Sequence, residues 1–443
     1  MKTHSAKILI SILLVGIMTF SLIGFAGCSD KVNTKYIDLD KEAIKVGIIS
    51  DTQLTANYDK YAENLEKALS YLKNRNTDVL IFGGDYSDLG TQKAADRFIS
   101  VYDSVYGDNK PISLAVMGNH DYWLANFFDC WEIPFKSKMR GRLENIFGDD
   151  YINVKVINGY TFFAFSPDDG SMEGDYNIEL ARKVLDEAVE RDPQKPIFVI
   201  THQTPSDTIR GSKDWGNSEL NELFKNYPNI VSISGHLHYS MLDETNIMQT
   251  DYTSIGTQSL SYTDFDGGYE PISVTADIES NPMLLYMTIE GNTVKIERIS
   301  VNDGKEYNPE NPYVLTFPYD KNTAPYTMDR KIKAGNPYFE NFNGEVIDCD
   351  GQKCINVSAA KCEGLVTEYR MRFLKDGKAV MFERNNAQVD TLKYYSDFFQ
   401  GSNNPQIKFA IPSDLPKGTY TIEIWAMESF GNESQKQTFK ITI

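Results

Sequence analysis

"IKVGIISDTQL", residues 44–54, joins a short β-branched apolar run to a polar loop. A run of this composition predicts a buried strand. Asp51 follows the apolar residues directly, and Gln53 comes two positions later. The amide of Gln53 is therefore either an ordinary loop group or a ligand in a site that begins with Asp51.

Strand and helix patterns alternate along the residues that follow. A helical spacing of apolar residues at 58–75 precedes the strand "DVLIFGGD" (78–85), and a second helix at 91–107 precedes the strand "PISLAVMGNHD" (111–121). The later segments are two strands around an Asn-Gly turn (151–166), a helix (176–191), strands at 196–203 and 230–238 with a short helix between them (217–226), and a hairpin (282–300). This order predicts an α/β domain with much parallel sheet.

Polar residues lie at or just past the carboxyl ends of the predicted strands. They are Asp51, Asp85, Asn119 with His120, His202, and His236 with His238. Ligands bind at that edge in open α/β sheets. Asp51 and Asp85, Asp85 and Asn119, and His202 and His236 are each 34 positions apart. A strand–helix–strand unit has about that length, so we expect the crossovers to return the chain to one edge.

Each of these residues has an ordinary explanation when taken alone, as a helix cap, a turn former or a satisfied core group. However, the chain has five histidines, of which His4 lies in the N-terminal segment and the other four lie at strand ends. Carboxylate, carboxamide and imidazole groups are the types of side chain that bind metal ions, and here they are expected to converge at one sheet edge. The set therefore favours a metal site over a series of accidents.

Five motifs around these residues resemble the sequence blocks of the calcineurin-like metallophosphoesterases. The motifs are "SDTQ", "GGDYSD", "GNHD", "THQ" and "GHLH". The resemblance covers about residues 44–300 and implies a phosphoesterase domain at 44–301. It also implies the family's fold, a two-sheet α/β sandwich flanked by helices, in which the hairpin at 282–300 supplies the last strands of the second sheet.

The resemblance implies a site for two divalent metal ions in this chain. Asp85 would bridge both ions. The other implied ligands are Asp51, Gln53 and His238 for the first ion, and Asn119, His202 and His236 for the second. His120 would stand near the leaving group, and Asp121 would orient its ring.

Gln53 is the position at which the chain departs from the family, which usually has histidine there. A carbonyl oxygen is a harder donor than imidazole, so the first site would favour manganese, iron(II) or magnesium, with zinc still allowed. Gln53 could instead hold a metal-bound water, or have no function. The purple acid phosphatase variant is disfavoured, because Asp88 stands where that variant has tyrosine.

The implied activity is metal-dependent hydrolysis of phosphate mono- or diesters. Two cations would neutralise the phosphoryl oxygens and activate a water as hydroxide, and His120 would protonate the leaving oxygen. The alternative is a catalytically degenerate surface protein that binds phosphorylated ligands or cell-wall components. A net charge of −18 argues against a nucleic-acid polymer as partner.

Residues 1–27 have the layout of a signal peptide, because Lys2 and Lys7 precede an apolar run that ends in "FAGC". The small residues before Cys28 resemble a bacterial lipoprotein signal, in which that cysteine is lipidated; an uncleaved membrane anchor is the alternative. Residues 28–43 read as a polar tether. Both alternatives predict an extracytoplasmic, membrane-anchored protein at the bacterial cell surface.

Two segments between the motifs have alternative interpretations. An aromatic-rich helical insertion at 122–147 carries the basic residues Lys136, Lys138, Arg140 and Arg142. It is either a lid, in which Arg140 and Arg142 contact the substrate, or an amphipathic surface helix. The acidic loop at 166–176 either lines the mouth of the site or is a plain connector.

The last third of the chain has a different pattern. A linker rich in Asn, Pro and Tyr (302–335) precedes alternating strands at 336–443, which predict an all-β domain. "LPKGTY" (415–420) resembles the tyrosine corner of fibronectin-type sandwiches, so we expect an Ig-like sandwich. It would be a spacer, a contact to the cell wall or another partner surface. Cys349 and Cys354 either pair or remain free.

Overall fold

The computed structural model describes residues 32–124, 133–265, 273–274, 276–384, 386–401 and 404–443, without the side chains of 133–135. The predicted signal peptide and Cys28 lie outside the described residues. Within the described part, no helix is both long enough and apolar enough to cross a membrane. Residues 34–443 form one compact unit.

Two seven-stranded sheets form the larger part of this unit. In chain order their strands are β1 (Thr34–Ile37), β2 (Ala43–Ile49), β3 (Val79–Phe82), β4 (Ile112–Ala115), β5 (Ile152–Ile157), β6 (Tyr160–Phe165), β7 (Ile197–Thr201), β8 (Ile230–Ser234), β9 (Ile247–Gln249), β10 (Thr253–Gly256), β11 (Met283–Glu290), β12 (Thr293–Ser300), β13 (Glu306–Tyr307) and β14 (Tyr313–Thr316). One sheet has the order β1-β5-β6-β7-β8-β10-β9. The other has the order β13-β12-β11-β2-β3-β4, and β14 also pairs with β12.

The two sheets pack face to face on a shared apolar core. Val46 and Ile81 of one sheet and Phe162 and Ile200 of the other belong to one buried cluster. Strands β2, β3 and β4 are parallel to one another, as are β6, β7 and β8. The predicted two-sheet α/β sandwich is therefore confirmed. The hairpin of β11 and β12 lies beside β2, in the sheet that also contains β3 and β4.

The helices follow the predicted amphipathic segments. They are α1 (Asp59–Asn74), α2 (Gln92–Tyr106), α3 (Ile133–Phe147), α4 (Ile178–Arg191), α5 (Ser212–Trp215), α6 (Ser218–Phe224) and α7 (Arg330–Ala334), with short 3₁₀ turns at His120–Tyr122, Glu244–Asn246 and Phe398–Gln400. Helix α1 buries Leu65, Leu69 and Leu72 on one face. The Thr91 hydroxyl accepts a hydrogen bond from the Ala94 N–H and starts α2.

Two segments are more ordered than the sequence predicted. Part of the expected tether forms β1, which pairs in parallel with β5 so that Thr34 lies opposite Val154. The expected linker contains β13, β14 and α7, and it buries Tyr313 and Leu315. The partner of β1 lies 120 positions along the chain, at Val154 for Thr34, so local composition alone did not reveal this strand.

The C-terminal part of the chain is antiparallel β structure, as predicted. Its strands are β15 (Gly344–Cys349), β16 (Gln352–Ser358), β17 (Val366–Lys375), β18 (Lys378–Ala379), β19 (Phe382–Arg384), β20 (Ala387–Val389), β21 (Leu392–Tyr395), β22 (Gln406–Ala410), β23 (Thr419–Glu428) and β24 (Gln437–Thr442). A three-stranded and a five-stranded sheet share one core, to which Ile355 and Phe373 belong. The Tyr420 hydroxyl donates to the Pro416 carbonyl, the bond expected of a tyrosine corner.

This β region also packs against the two-sheet part. Phe398 and Phe399 belong to the buried cluster that lies between the two large sheets. A simple spacer on a linker would not contribute to that core. Cys349 and Cys354, which lie on the paired strands β15 and β16, are free thiols here.

Candidate metal centre

The carboxyl ends of strands from both sheets meet at one place. Asp51 and Asp85 follow β2 and β3 of one sheet, and His202 and His238 follow β7 and β8 of the other. The distance from His238 Nε2 to an Asp51 carboxylate oxygen is 3.1 Å, and from His202 Nε2 to an Asp85 carboxylate oxygen it is 3.3 Å. Each of these acid–imidazole pairs therefore links one sheet to the other.

The centre of this cluster is buried and acidic. One ligand atom from each of Asp51, Asp85 and His238 lies within 4.8 Å of the others. These three residues are at most 4% exposed. A buried carboxylate is costly unless it is paired or bound to a metal ion. Ser50 Oγ and the His236 N–H donate to the Asp51 carboxylate and hold it in place.

A second group of residues lies beside this centre. Asn119 Oδ1 is 3.0 Å from His202 Nε2 and also 3.0 Å from His236 Nδ1. Since the His202 imidazole contacts Asp85 as well, Asp85 stands between the two groups. The structure thus brings together all seven residues that the sequence nominated as ligands.

Backbone carbonyl oxygens orient two of the imidazoles. His202 Nδ1 lies 2.8 Å from the Gly83 oxygen, and His238 Nδ1 lies 3.1 Å from the Tyr262 oxygen. Such contacts place the proton on Nδ1, which leaves Nε2 free to act as a ligand. Both Nε2 atoms point at carboxylates of the cluster.

Two buried polar atoms of the cluster lack a hydrogen-bond partner among the described residues. Gln53 Nε2 donates to Asp85 at 3.0 Å, whereas Gln53 Oε1 has no partner. His236 Nε2 is likewise unpartnered. A buried acceptor without a partner costs about 1–3 kcal/mol. Divalent cations would satisfy both atoms and the excess of carboxylate, so the residues present fit a metal centre.

The backbone at the cluster adopts an unfavourable conformation. Asp51, Gln53, Asp85, His236 and His238 have φ angles between 47° and 70°. Non-glycine residues in this left-handed region cost of order 1 kcal/mol or more each, and they concentrate at functional sites. Five of the seven proposed ligands therefore sit on strained turns that follow strands.

Two glycines allow the close approach of these turns. A Cβ atom at position 118 would lie 2.0 Å from Asp85 Oδ1, and one at position 235 would lie 2.1 Å from Ser50 Oγ. Both glycines precede ligands within the motifs "GNHD" and "GHLH". The polar residues of these motifs point to the site from the sequence alone, whereas the need for their glycines is visible only once the loops are packed.

The acids and imidazoles of the cluster shift one another's pKa values. Burial alone would raise the pKa of Asp85, but His202 and the other imidazoles hold it below its usual range. Burial lowers the pKa of His202, yet Asp85 and Asp51 outweigh that effect and raise it to about 9. Burial and the neighbouring His202 lower the pKa of His236 to about 3. The carboxylates thus stabilise positive charge at this place.

His120 and Asp121 are arranged differently from the prediction. The Asp121 carboxylate accepts hydrogen bonds from the backbone N–H groups of Asp85, Ser87 and Gly118, so it shapes the loops and not the imidazole. The His120 ring faces Asp88 instead, with Nδ1 2.8 Å from the carbonyl and 3.5 Å from the carboxylate. Asp88 could have been nominated from "GGDYSD", which places it three residues after Asp85.

The two arginines predicted to contact substrate are engaged by protein groups. An Arg140 nitrogen lies 2.8 Å from Asp168, and the guanidinium stacks on Tyr151. Arg142 is buried and donates to the Gly90 carbonyl and to Gln92. Both side chains therefore tie α3 to neighbouring segments. Lys136 and Lys138, on the same helix, keep exposed surface.

The acidic loop at 166–176 lies against the site. Met172 Sδ is 3.6 Å from Asn119 Nδ2, and Gln203 Nε2 donates to the Ser171 carbonyl. These contacts with a proposed ligand and with the residue after His202 favour the interpretation as a mouth-lining loop. Met172 was not nominated from the sequence, because a methionine in an acidic loop carries no local signal of a site.

Residues 44–240 match the family model described as calcineurin-like phosphoesterase, and no curated protein matches the chain. A dimetal phosphatase from Danio rerio is similar over 62% of this chain and 98% of its own, with 10% sequence identity and a TM-score of 0.42. The purple acid phosphatase PPD1 from yellow lupin is similar over 62% and 54%, respectively, with 14% identity and a TM-score of 0.46.

Proposed function

We propose that the chain, whose residues 44–240 belong to the calcineurin-like phosphoesterase family, hydrolyses phosphate mono- or diesters at a centre of two divalent cations. The observation that carries this proposal is the buried cluster of Asp51, Asp85 and His238. The unpartnered oxygen of Gln53 beside it supports a cation in preference to a structural salt-bridge network.

The proposed ligands divide into two groups around Asp85. Asp51, Gln53 and His238 would hold the first cation, and Asn119, His202 and His236 would hold the second. When bound, such a pair of cations neutralises phosphoryl oxygens and lowers the pKa of a water, which can then act as a hydroxide nucleophile. The amide oxygen of Gln53 favours manganese, iron(II) or magnesium for the first position, and zinc remains compatible.

His120 is the proposed proton donor to the leaving oxygen. Its side chain is 24% exposed, whereas the side chains of Asp51 and Asp85 are almost fully buried, so it can meet a substrate from solvent. Its contact with Asp88 orients the ring through Nδ1 and leaves Nε2 for the transfer. Asp121 is proposed to act through the backbone of the ligand loops, as a positioning residue.

The test combines metal content with turnover. We expect the purified chain to bind about two manganese ions and to hydrolyse 4-nitrophenyl phosphate or bis(4-nitrophenyl) phosphate, with the activity lost on chelation. Asp85→Ala should lose both metal and turnover, while Asp108→Ala, at an exposed loop position, serves as the matched control. Wild-type turnover that is metal-independent, or equal to that of Asp85→Ala, would contradict the proposal.

The second candidate is a degenerate binding protein with the same fold. The departure at Gln53 favours it, because a weaker ligand lowers metal affinity. It predicts that the chain binds metal and inorganic phosphate but turns over neither ester. Calorimetry with phosphate, run beside the turnover assay, separates the two candidates.

Location and partners complete the proposal. We propose an extracytoplasmic protein held in the membrane by a lipid on Cys28, with the C-terminal β region in contact with the cell wall. Wild type should fractionate with membranes and carry a lipid-modified Cys28 by mass spectrometry, and Cys28→Ser should not. Isolated cell wall should retain the wild-type chain. A wild-type chain that stays in the soluble fraction would contradict the membrane anchor. A wild-type chain that isolated cell wall does not retain would contradict the contact with the cell wall.

A further inference from the structure

An exposed aromatic ring lies beside the proposed proton donor. The indole of Trp123 stacks on the His120 imidazole, with ring centroids 5.0 Å apart and planes at 15°. Trp123 is nevertheless 37% exposed. Because the leaving oxygen must approach His120, any group bonded to that oxygen also comes within reach of the indole.

Apolar side chains stand beside two further residues of the site. The Tyr262 ring packs on the His238 ring with centroids 4.4 Å apart. Met172, which contacts Asn119, is 44% exposed. Side chains with large apolar surfaces therefore lie next to the imidazoles of His120 and His238 and the carboxamide of Asn119.

The charged groups around the approach disfavour additional phosphates. Arg140 and Arg142, the arginines of α3, already pair with Asp168 and the Gly90 carbonyl. The Asp88 carboxylate, 41% exposed, lies 3.5 Å from His120. A leaving group that carried further phosphates would meet this carboxylate, and pairing with either arginine would require breaking an existing contact.

We propose that Trp123 forms a stacking wall next to His120 and that this wall selects esters with an aromatic group close to the leaving oxygen. The Asp88 carboxylate restricts these esters to a single phosphate. This inference rests on the proposed hydrolysis and names the substrate class of that same site. A stacked aromatic pair gains more than apolar contact of equal area, so the preference should appear in binding of the leaving group and not in the chemical step.

The experiment compares two substrates that differ in aromaticity. Benzyl phosphate and cyclohexylmethyl phosphate have the same carbon skeleton, and both release a primary alcohol. In the manganese-loaded wild type we expect KM to be about twofold to tenfold lower for benzyl phosphate, with similar kcat. Trp123→Leu should remove the difference by raising the KM for benzyl phosphate. Benzyl diphosphate should be hydrolysed less efficiently than benzyl phosphate.

A binding measurement makes the test independent of turnover. Benzylphosphonate and cyclohexylmethylphosphonate, which cannot be hydrolysed in this way, are titrated into the manganese-loaded chain by calorimetry. We expect the same preference in wild type and its loss in Trp123→Leu. Trp215→Leu is the control, since Trp215, at the end of α5, is similarly exposed, at 40%.

The outcomes separate the two proposals. Equal affinity for the two phosphonates in wild type, or an equal fall in kcat for both substrates in Trp123→Leu with no change in the KM ratio, would overturn the stacking wall. A preference for benzylphosphonate that depends on Trp123, without turnover of any ester, would support the wall and overturn the proposed hydrolysis.

Discussion

Buried carboxylates occur in both regions of the molecule, but they have different surroundings. Asp85, in the two-sheet region, contacts an imidazole from the opposite sheet, and the imidazoles hold its pKa below the usual range. Glu428, at the end of β23, accepts hydrogen bonds from the backbone N–H groups of Phe430 and Asn432, and burial raises its pKa. The first carboxylate stays charged in an acid–imidazole cluster, whereas the second closes a local turn.

This difference indicates what marks a site. Burial of an acid is common to both regions, so it does not distinguish them. The two-sheet region adds acids and imidazoles from separate strands, unpartnered atoms and left-handed backbone at the same place. In the C-terminal region, the Glu428 carboxylate accepts from its own turn. A better indicator of a functional site is therefore a set of polar groups from several strands in which some atoms lack a hydrogen-bond partner.

The largest expected effect comes from exchanging the two carboxylates for amides. Asp85→Asn should lower metal-dependent turnover by at least about a hundredfold, because it removes the charge shared by both proposed cations. Glu428→Gln should leave turnover within about twofold and lower only the free energy of unfolding, by about 1 kcal/mol. Steady-state kinetics and urea unfolding measure both. Similar losses of turnover in the two variants would break the comparison.

The glycines of the ligand loops give the next effect. Gly118→Ala would place a Cβ atom 2.0 Å from Asp85 Oδ1, so we expect turnover to fall roughly tenfold to a hundredfold through displaced ligands. Gly141→Ala on α3, where an added Cβ meets nothing within 4 Å, is the control. Thermal unfolding checks that both variants fold. Full turnover in Gly118→Ala would contradict the geometry of the site.

Gln53→His tests the position at which the motif "SDTQ" departs from the family pattern that it resembles. We expect turnover to persist while the metal preference shifts from manganese toward zinc, since imidazole is the softer ligand. Activity profiles and bound-metal analysis across manganese, magnesium, iron(II) and zinc report the shift. Gln194→His, in an exposed turn, should not change the profile. An unchanged profile in Gln53→His would indicate that Gln53 is not a ligand.

The smallest effect belongs to the C-terminal region. Tyr420→Phe removes the hydroxyl that donates to the Pro416 carbonyl, and it should lower the free energy of unfolding by about 1 kcal/mol without changing turnover. Tyr36→Phe, at a side chain that is 70% exposed, is the control. Urea unfolding measures the difference. A loss of turnover in Tyr420→Phe would mean that the two regions are coupled more tightly than their contacts suggest.

The sequence by itself determined the alternation of strands and helices and the residues that converge at the strand ends. The two-sheet arrangement was implied only by the resemblance of five motifs to the calcineurin-like metallophosphoesterases. The alternation follows from local periodicity, and the convergence follows from separations of 34 positions, which are about the length of one strand–helix–strand unit. The tyrosine corner was also foreseeable, because Tyr420 and Pro416 are close in sequence.

Only the tertiary structure decided which partners these residues have. It set Asp88, not Asp121, against the His120 ring, paired Arg140 with Asp168, and added β1 to the sheet edge beside β5. The partners in these pairs lie between 28 and 120 positions apart in the sequence. Composition and periodicity describe a residue and its near neighbours, so contacts over such separations emerge only when the sheets have packed.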